Sequence, residues 1–291
     1  MKDYCVRAMA GGGMLRALAC TMRETVETAR KNHNTSPVAS AALGRLLCAS
    51  ALMGMMLDEE DTLTLQILCD GPVGGITACA DAKGHVKGYV REPAVLLPAN
   101  EKHKLDVAKA VGHGSLRVIR DMGLKEPYIG ETELISGELA EDITWYYAQS
   151  EQTPTACGLG VLLSKENVVA QAGGFLIQLM PGAQDSLINV LEENLKKISS
   201  VTDFLSAGHS PEDLLNTLLA GLTPQITDTS EVSFQCDCSA ARIERALLSV
   251  GRSELEDMIK EGKDVEMCCS FCGKKYIVSV DKLKEMLERA G

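Results

Sequence analysis

The chain has 291 residues, of which 45% are hydrophobic and 4% aromatic, and its formal net charge is -11. This apolar content is enough to build a folded core, so wholesale disorder is excluded. The length predicts about two domains, and the acidic balance argues against binding nucleic acid through general charge.

The N-terminal residues lack the charged-then-apolar pattern of a signal peptide, so we expect a cytoplasmic protein. Eleven cysteines is a high count for a reducing compartment. There, clustered cysteines indicate metal or redox chemistry before structural disulfides. Residues 37–57 are apolar over the length of a membrane span, but Arg45 interrupts them and small residues dominate. We therefore expect a buried core helix and no membrane association.

Residues 1–182 alternate helix-like and strand-like patterns. The predicted helices are 21–34, 36–57, which begins with the N-cap pair Ser36-Pro37, and 137–149. The predicted strands are 62–69, 76–80, 85–90, 156–163 and 168–178. Because helices and strands do not alternate regularly, we expect a mixed α/β core domain of the α+β class.

Residues 183–230 are predicted to be purely helical. A first apolar stripe has the spacing of one helix face and comprises Ile188, Leu191, Leu195 and Ile198. A second helix begins at Ser210-Pro211, and its stripe comprises Leu214, Leu215, Leu218 and Leu219. Because this region has no obvious core of its own, we expect a helical linker that packs on the core domain.

Residues 231–291 carry the pair Cys236-x-Cys238 and, thirty residues later, Cys269-x-x-Cys272 followed by Gly273. Zinc binds four thiolates tetrahedrally, and two short-spaced pairs supply the two halves of such a site. The sequence therefore predicts one Zn²⁺ per chain on these four cysteines in the reduced form. Further predictions are a strand over 277–280 and three helices. Ser239 is expected to cap a helix that ends near Gly251, Ser253 one that ends near Gly262, and Asp281 a last helix over 282–290.

Two features of the cysteine motif bear on its chemistry. Cys268 could replace Cys269 as a ligand, although two intervening residues suit the turn before Gly273 better. A disulfide within Cys236-x-Cys238 requires a bent chain, and strained disulfides are labile rather than permanent. Oxidation would remove a metal-binding free energy of roughly 10–16 kcal/mol, and a module this small should then unfold. The spacing thus favours a redox switch.

Two other classes of protein compete with this interpretation. A structural zinc-ribbon for nucleic-acid or protein docking is the first, but residues 231–291 hold 12 acidic and 10 basic residues. A metal-dependent enzyme is the second, but four thiolates leave no open position for a catalytic water. The histidines are scattered, and residues 112–115 lack a recognisable catalytic triad. We interpret Glu151 as a buried polar contact or a loop anchor rather than a catalytic acid. We expect no enzyme.

The cysteine motifs at 234–239 and 269–276 resemble those of the redox-regulated 33-kDa heat-shock chaperones of bacteria. The core motifs that share this resemblance are Gly71-Pro72, Gly88-Tyr89, 150–155, 172–178 and Met180-Pro181. It covers essentially the whole chain in the same three-part order: a core domain (1–182), a redox-sensitive helical linker (183–230) and a zinc module (231–291).

The resemblance implies a cytoplasmic, ATP-independent holdase that binds unfolding client proteins under oxidative stress. It implies that the reduced, zinc-bound form is inactive, and that oxidation forms the disulfides Cys236–Cys238 and Cys269–Cys272. Zinc loss would then free the linker, whose leucine stripes would become exposed apolar surface, and the oxidised form would be a homodimer. Cys268 departs from the family pattern.

Overall fold

The computed structural model describes residues 2–58, 60–101 and 104–289, which form two compact units, Met1–Gln235 and Cys236–Gly291. His103 and the predicted helix end at Ala290 lie outside the described residues. The three-part division predicted from the sequence is a finer one, and it stays a prediction.

The first unit combines helices with two sheets, and the predicted α+β class is confirmed. Its helices are α1 (Arg23–His33), α2 (Pro37–Gly54), α3 (Val107–Val111), α4 (Leu139–Gln149), α5 (Asp185–Leu195), α6 (Val201–Ser206) and α7 (Pro211–Leu218). Its strands are β1 (Tyr4–Ala10), β2 (Leu15–Thr21), β3 (Thr62–Cys69), β4 (Ile76–Asp81), β5 (His85–Val90), β6 (Gly114–Asp121), β7 (Tyr128–Glu133), β8 (Thr155–Leu163), β9 (Val169–Leu179), β10 (Gln225–Glu231) and β11 (Ser233–Phe234).

The strands form a sheet of order β10-β1-β2-β9-β8, here called sheet A, and a sheet of order β11-β5-β4-β3-β6-β7, called sheet B. Neighbouring strands pair antiparallel except β11 with β5. Helix α2 contacts strands of both sheets and forms the centre of the main core.

Helix α2 begins as the sequence predicts. The side chain of Ser36 caps it by accepting a 3.4 Å hydrogen bond from the backbone N–H of Ala39, and Pro37 follows in the first turn. Its length and apolarity would suit a membrane span, but 89% of the segment is buried inside the protein. Arg45, its one charged residue, pairs with Glu138. The helix therefore has the contacts of a core helix.

Helices α5, α6 and α7 cover the face of sheet A that points away from α2. The buried side chains of this second core include Val6, Leu15, Phe175, Ile177, Leu191, Leu205, Leu214, Leu215, Leu218 and Leu219. Ser210 and Asp213 form a reciprocal capping box at the start of α7. The predicted second stripe thus lies entirely against the sheet.

The prediction that 183–230 is purely helical is wrong at its end. Residues Gln225–Glu231 form β10, which pairs antiparallel with β1 at the edge of sheet A. The segment contains the β-branched residues Ile226, Thr227 and Thr229, which favour strands, and an unpaired sheet edge offers backbone groups that need partners.

The second unit contains α8 (Ala240–Leu248), α9 (Arg252–Glu261), α10 (Val280–Arg289) and the hairpin of β12 (Val265–Cys268) with β13 (Lys275–Val278). Its small buried core comprises Leu247, Leu255, Val278, Leu283 and Met286. Two predicted helix starts are wrong: Ser253 lies inside α9, which Gly251 precedes, and Asp281 lies inside α10. The strand predicted over 277–280 ends at Val278 because α10 begins two residues later.

Candidate metal centre

One half of the cysteine motif lies at the end of the β12–β13 hairpin. The backbone N–H of Cys269 donates to the carbonyl of Lys274 at 2.9 Å, and that of Gly273 donates to the carbonyl of Cys269 at 2.8 Å. Gly273 has φ of +71°, a conformation that glycine adopts without steric cost. This tight turn brings Cys269 and Cys272 to the same side of the hairpin end.

The other half lies immediately before α8. Ser239 caps this helix by accepting a hydrogen bond from the N–H of Arg242 at 3.4 Å, as the sequence predicts. The Arg242 side chain also forms a 2.5 Å ion pair with Asp237, which lies between the two cysteines. These contacts fix the segment carrying Cys236 and Cys238 against the start of the helix.

The four sulfurs of Cys236, Cys238, Cys269 and Cys272 all lie within 4.8 Å of one another. The sulfurs of Cys236 and Cys269 are 3.7 Å apart, and those of Cys238 and Cys272 are 3.5 Å apart. A tetrahedral ion with metal–sulfur bonds of about 2.3 Å would hold its sulfurs about 3.8 Å from each other. The donor set and its spacing therefore fit a metal ion on four thiolates.

Cys268, the alternative ligand, is placed elsewhere. Its side chain is exposed, and its thiol donates to the carbonyl of Gly273 at 3.3 Å. Cys269 is buried and belongs to the group of four sulfurs. The hairpin register explains the difference, because Cys268 is the last paired residue of β12 whereas Cys269 begins the turn.

Tyr276, which the sequence did not single out as a site residue, contacts the centre. Its hydroxyl donates a hydrogen bond to the sulfur of Cys238 over 3.1 Å. This bond stabilises the thiolate and lowers the pKa of Cys238 to about 7, while the same contact raises the pKa of Tyr276 to about 12. Burial acts in the opposite direction on Cys236 and raises its pKa to about 12.

Residues 3–279 match the family model described as Hsp33 protein. The chain belongs to the Hsp33 family. The 33 kDa chaperonin of Lachnoclostridium phytofermentans is 49% identical over 291 residues, which cover 100% of both chains. The 33 kDa chaperonin of Clostridioides difficile is 50% identical over 290 residues and 99% of each chain. The crystal structure of the 33 kDa chaperonin from Thermotoga maritima superposes with a TM-score of 0.92 at 36% identity, covering 99% of each chain.

Membership of the Hsp33 family confirms the resemblance seen in the sequence and supports a chaperone role in the stress response. A chaperone of this family would bind unfolded client proteins. The relatives are named as chaperonins, and these names describe no enzyme. The four clustered cysteines can hold a metal ion and are compatible with zinc and with redox-sensitive disulfides.

Proposed function

We propose that the protein is a redox-regulated, ATP-independent holdase of the cytoplasm that binds unfolding proteins under oxidative stress. In this proposal the reduced, zinc-bound form is inactive, and oxidation produces the active form, a homodimer. The supporting observation is the group of four sulfurs within 4.8 Å of one another, contributed by two segments thirty residues apart. The protein is not proposed to be an enzyme.

The proposed ligands are Cys236, Cys238, Cys269 and Cys272. A zinc ion bound there would hold the four sulfurs as thiolates and join the two halves of the motif. In small zinc modules the binding free energy is roughly 10–16 kcal/mol and counts toward folding. The buried apolar core of the second unit is small, with five buried side chains among the described residues. Loss of the thiolates should therefore destabilise the unit.

The proposed oxidation converts two pairs of thiols into disulfides, Cys236–Cys238 and Cys269–Cys272. Each pair gives up two electrons and two protons to one hydrogen peroxide, which is reduced to two water molecules. Once both bonds have formed, no thiolate of the motif remains to bind a metal. Because each disulfide lies within one half of the motif, neither a metal ion nor a covalent bond between cysteines would then join the two halves.

The three proposed parts are the core domain (1–182), the linker (183–230) and the redox module (231–291). In the folded protein α5, α6 and α7 cover an apolar face of sheet A, and Leu214 and Leu218 are fully buried there. Unfolding of the linker would expose both the leucine stripes and the sheet face. An extended apolar surface of this kind suits the binding of unfolding clients.

The test measures metal, thiols, oligomeric state and holdase activity on one sample. Reduced protein is treated with peroxide under mild heat, and zinc release, free thiols and suppression of aggregation of an unfolding client are followed together. We expect one zinc per chain, its loss together with four thiols, and client protection and dimerisation only afterwards. Cys268→Ser, which removes an exposed cysteine outside the group, should behave as the unmodified protein. Retention of zinc, or zinc loss without client protection, would contradict the proposal.

A further inference from the structure

The first unit contains a cavity of about 240 Å³ lined by polar and by apolar side chains, called here its polar wall and its apolar wall. It lies between residues from the C-terminal end of α2, from both sheets and from the end of α4. The polar wall comprises Arg16, Arg120, Tyr147, Glu151, Thr153 and Gln178. The apolar wall comprises Met53, Met56, Leu57 and Leu63. These residues take no part in the proposed redox switch.

Arg16 is a half-buried cation with a neutral partner. Strand pairing places Gln178 opposite it, and the guanidinium Nε and Nη2 donate to Oε1 of Gln178 at 3.2 and 2.6 Å. Burial lowers the pKa of Arg16, the nearby Tyr147 hydroxyl acts to raise it, and the positive charges of Arg7 and Arg120 lower it further. Among the residues that the structure describes, the guanidinium thus has two cationic neighbours, Arg7 and Arg120, and no carboxylate as a hydrogen-bond partner.

Arg120 and Glu151 form the other charged part of the wall, with Nη2 of Arg120 at 3.3 Å from Oε1 of Glu151. The same carboxylate oxygen accepts a 2.6 Å hydrogen bond from the hydroxyl of Tyr146. The carboxylate is therefore already paired, as expected of one of the two structural roles that the sequence suggests for Glu151. Two guanidiniums face one carboxylate in the cavity, which leaves one positive charge.

Tyr147 supplies an unused donor. Its side chain is only 3% exposed, and its buried hydroxyl has no hydrogen-bond partner among the described residues. Burial raises the pKa of this hydroxyl, so it stays protonated at neutral pH. A buried hydroxyl without a partner is costly, and such groups are uncommon unless a water or a ligand satisfies them.

We propose that this cavity binds a small monocarboxylate with an apolar tail. Its carboxylate would lie between Arg16 and Arg120 and accept a hydrogen bond from the Tyr147 hydroxyl, while its tail would contact the methionine and leucine side chains. A monoanion matches the single uncompensated charge. Inorganic phosphate would leave its second negative charge without a partner and the apolar wall without a contact.

Calorimetric titration of the reduced, full-length protein at constant ionic strength tests this with hexanoate, its neutral analogue hexanamide, and inorganic phosphate. We expect hexanoate to bind saturably, with one molecule per chain, and to raise the unfolding temperature of the first unit. Neither hexanamide nor phosphate should bind comparably. Because the site lies outside the cysteine motif, Cys-to-Ser changes at the metal centre should leave hexanoate binding intact, whether or not the redox proposal holds.

Three variants assign the binding to the cavity. Arg16→Met should weaken hexanoate binding by roughly 10- to 100-fold, because it removes a charge-assisted hydrogen bond. Tyr147→Phe should weaken it by roughly 5- to 10-fold without lowering the unfolding temperature of the free protein, since the hydroxyl has no hydrogen-bond partner to lose among the described residues. Arg117→Met removes the same charge from a neighbouring site on β6, where Arg117 pairs with Glu131, and should leave the affinity unchanged.

Three outcomes would overturn the proposal. The first is an absence of saturable hexanoate binding at millimolar concentrations, which would mean that the cavity holds water only. The second is unchanged affinity in both Arg16→Met and Tyr147→Phe. The third is equal binding of phosphate and hexanoate, which would show that the apolar wall contributes nothing to recognition.

Discussion

The hydroxyl of Tyr276 donates a hydrogen bond to the sulfur of Cys238 over 3.1 Å. Tyr276 is thus a residue outside the four-cysteine motif that touches the candidate metal centre directly. Hydrogen bonds to the sulfurs of a metal site favour the thiolate form and orient the ligands. The strength of metal binding should therefore depend on this tyrosine.

Replacing Tyr276 by Phe removes this hydrogen bond while keeping the ring. We expect the pKa of Cys238 to rise from about 7 toward its ordinary value of 9.0. Zinc affinity should fall roughly tenfold, in line with changes to groups that support metal ligands. Ultraviolet absorbance of the thiolate against pH and zinc competition with a chelator measure the two effects. Tyr128→Phe, an exposed change in the first unit, is the control, and equal zinc affinity in both variants would contradict the expectation.

The adjacent cysteines 268 and 269 should differ in their effect on zinc content. Cys269→Ser removes a buried member of the group of four sulfurs, so we expect loss of tight zinc binding and a less stable second unit. Cys268→Ser removes an exposed thiol and should keep one zinc per chain. Metal analysis after gel filtration measures both. The reverse pattern would make Cys268 the ligand.

The connectivity of the oxidised protein should follow sequence proximity rather than the shortest sulfur–sulfur distances. The closest pairs, Cys236 with Cys269 and Cys238 with Cys272, join the two halves. Disulfides between the halves would close loops of thirty or more residues and stabilise the unit by roughly 3–4 kcal/mol. Such bonds would oppose opening. Non-reducing peptide mapping should find Cys236–Cys238 and Cys269–Cys272, and bonds between the halves would contradict the proposed switch.

A charged side chain introduced on the buried face of α7 should detach the helix from sheet A and so expose the proposed client-binding surface without oxidation. Leu218 is fully buried against sheet A, and an aspartate there would bury an unpaired charge, at a cost of several kcal/mol. We expect Leu218→Asp to protect an unfolding client from aggregation under reducing conditions. Asn216→Asp makes the same kind of change at an exposed position of α7 and should have no effect. An inactive but demonstrably opened Leu218→Asp protein would contradict the proposal.

Protonation of Glu27 should lower the free energy of unfolding of the first unit at acid pH. Its carboxylate accepts hydrogen bonds from Arg30 at 2.8 and 2.9 Å and from the N–H of Val169 at 3.0 Å, and these hold its pKa at about 2, below its ordinary 4.5. The stabilisation is therefore complete above about pH 4.5 and is lost as the pH falls toward 2.

Glu27→Gln should lower the free energy of unfolding by about 2–4 kcal/mol at about pH 7, because it leaves the half-buried Arg30 without its anion. The difference from the unmodified protein should shrink at about pH 3. Urea unfolding at both pH values measures this, and Glu24→Gln, on the exposed face of α1, is the control. A pH-independent difference would refute the assigned ion pair.

The four-cysteine group could be predicted from the sequence for two reasons. Cysteine is itself a metal-binding residue type, and the short spacing within each pair places its two sulfurs close together. Helix starts with an unambiguous cap were also predictable, as at Ser36 and Ser210. Tyr276 was not, because its contact depends on the register of the β12–β13 hairpin, which places it opposite Met267. The helix start predicted at Ser253 failed because Gly251, with φ of +101°, ends the preceding loop earlier.

Several strands gave little sequence signal for physical reasons. Strand β2 is almost completely buried on both faces, so it lacks the polar–apolar alternation that reveals a half-buried strand. Strand β7 lies at the edge of sheet B and is mostly exposed, so it has few apolar residues to show a period. Strand β10 exists because β1 offers it a partner, which is a tertiary interaction that local propensity does not encode.

The order of strands in sheet A has a mechanical consequence. The segment from Met180 to Pro224, which contains α5, α6 and α7, leaves the sheet after β9 and returns to it at β10, the edge strand that β2 and β1 separate from β9. If only the helices melt, the segment remains a loop anchored at both ends. Re-covering the face is then an intramolecular event at high effective concentration, since loop-closure entropy grows only slowly with length. Once the cysteines are reduced again, such a tether would let the helices compete with a bound client for the sheet face without dissociating from the chain.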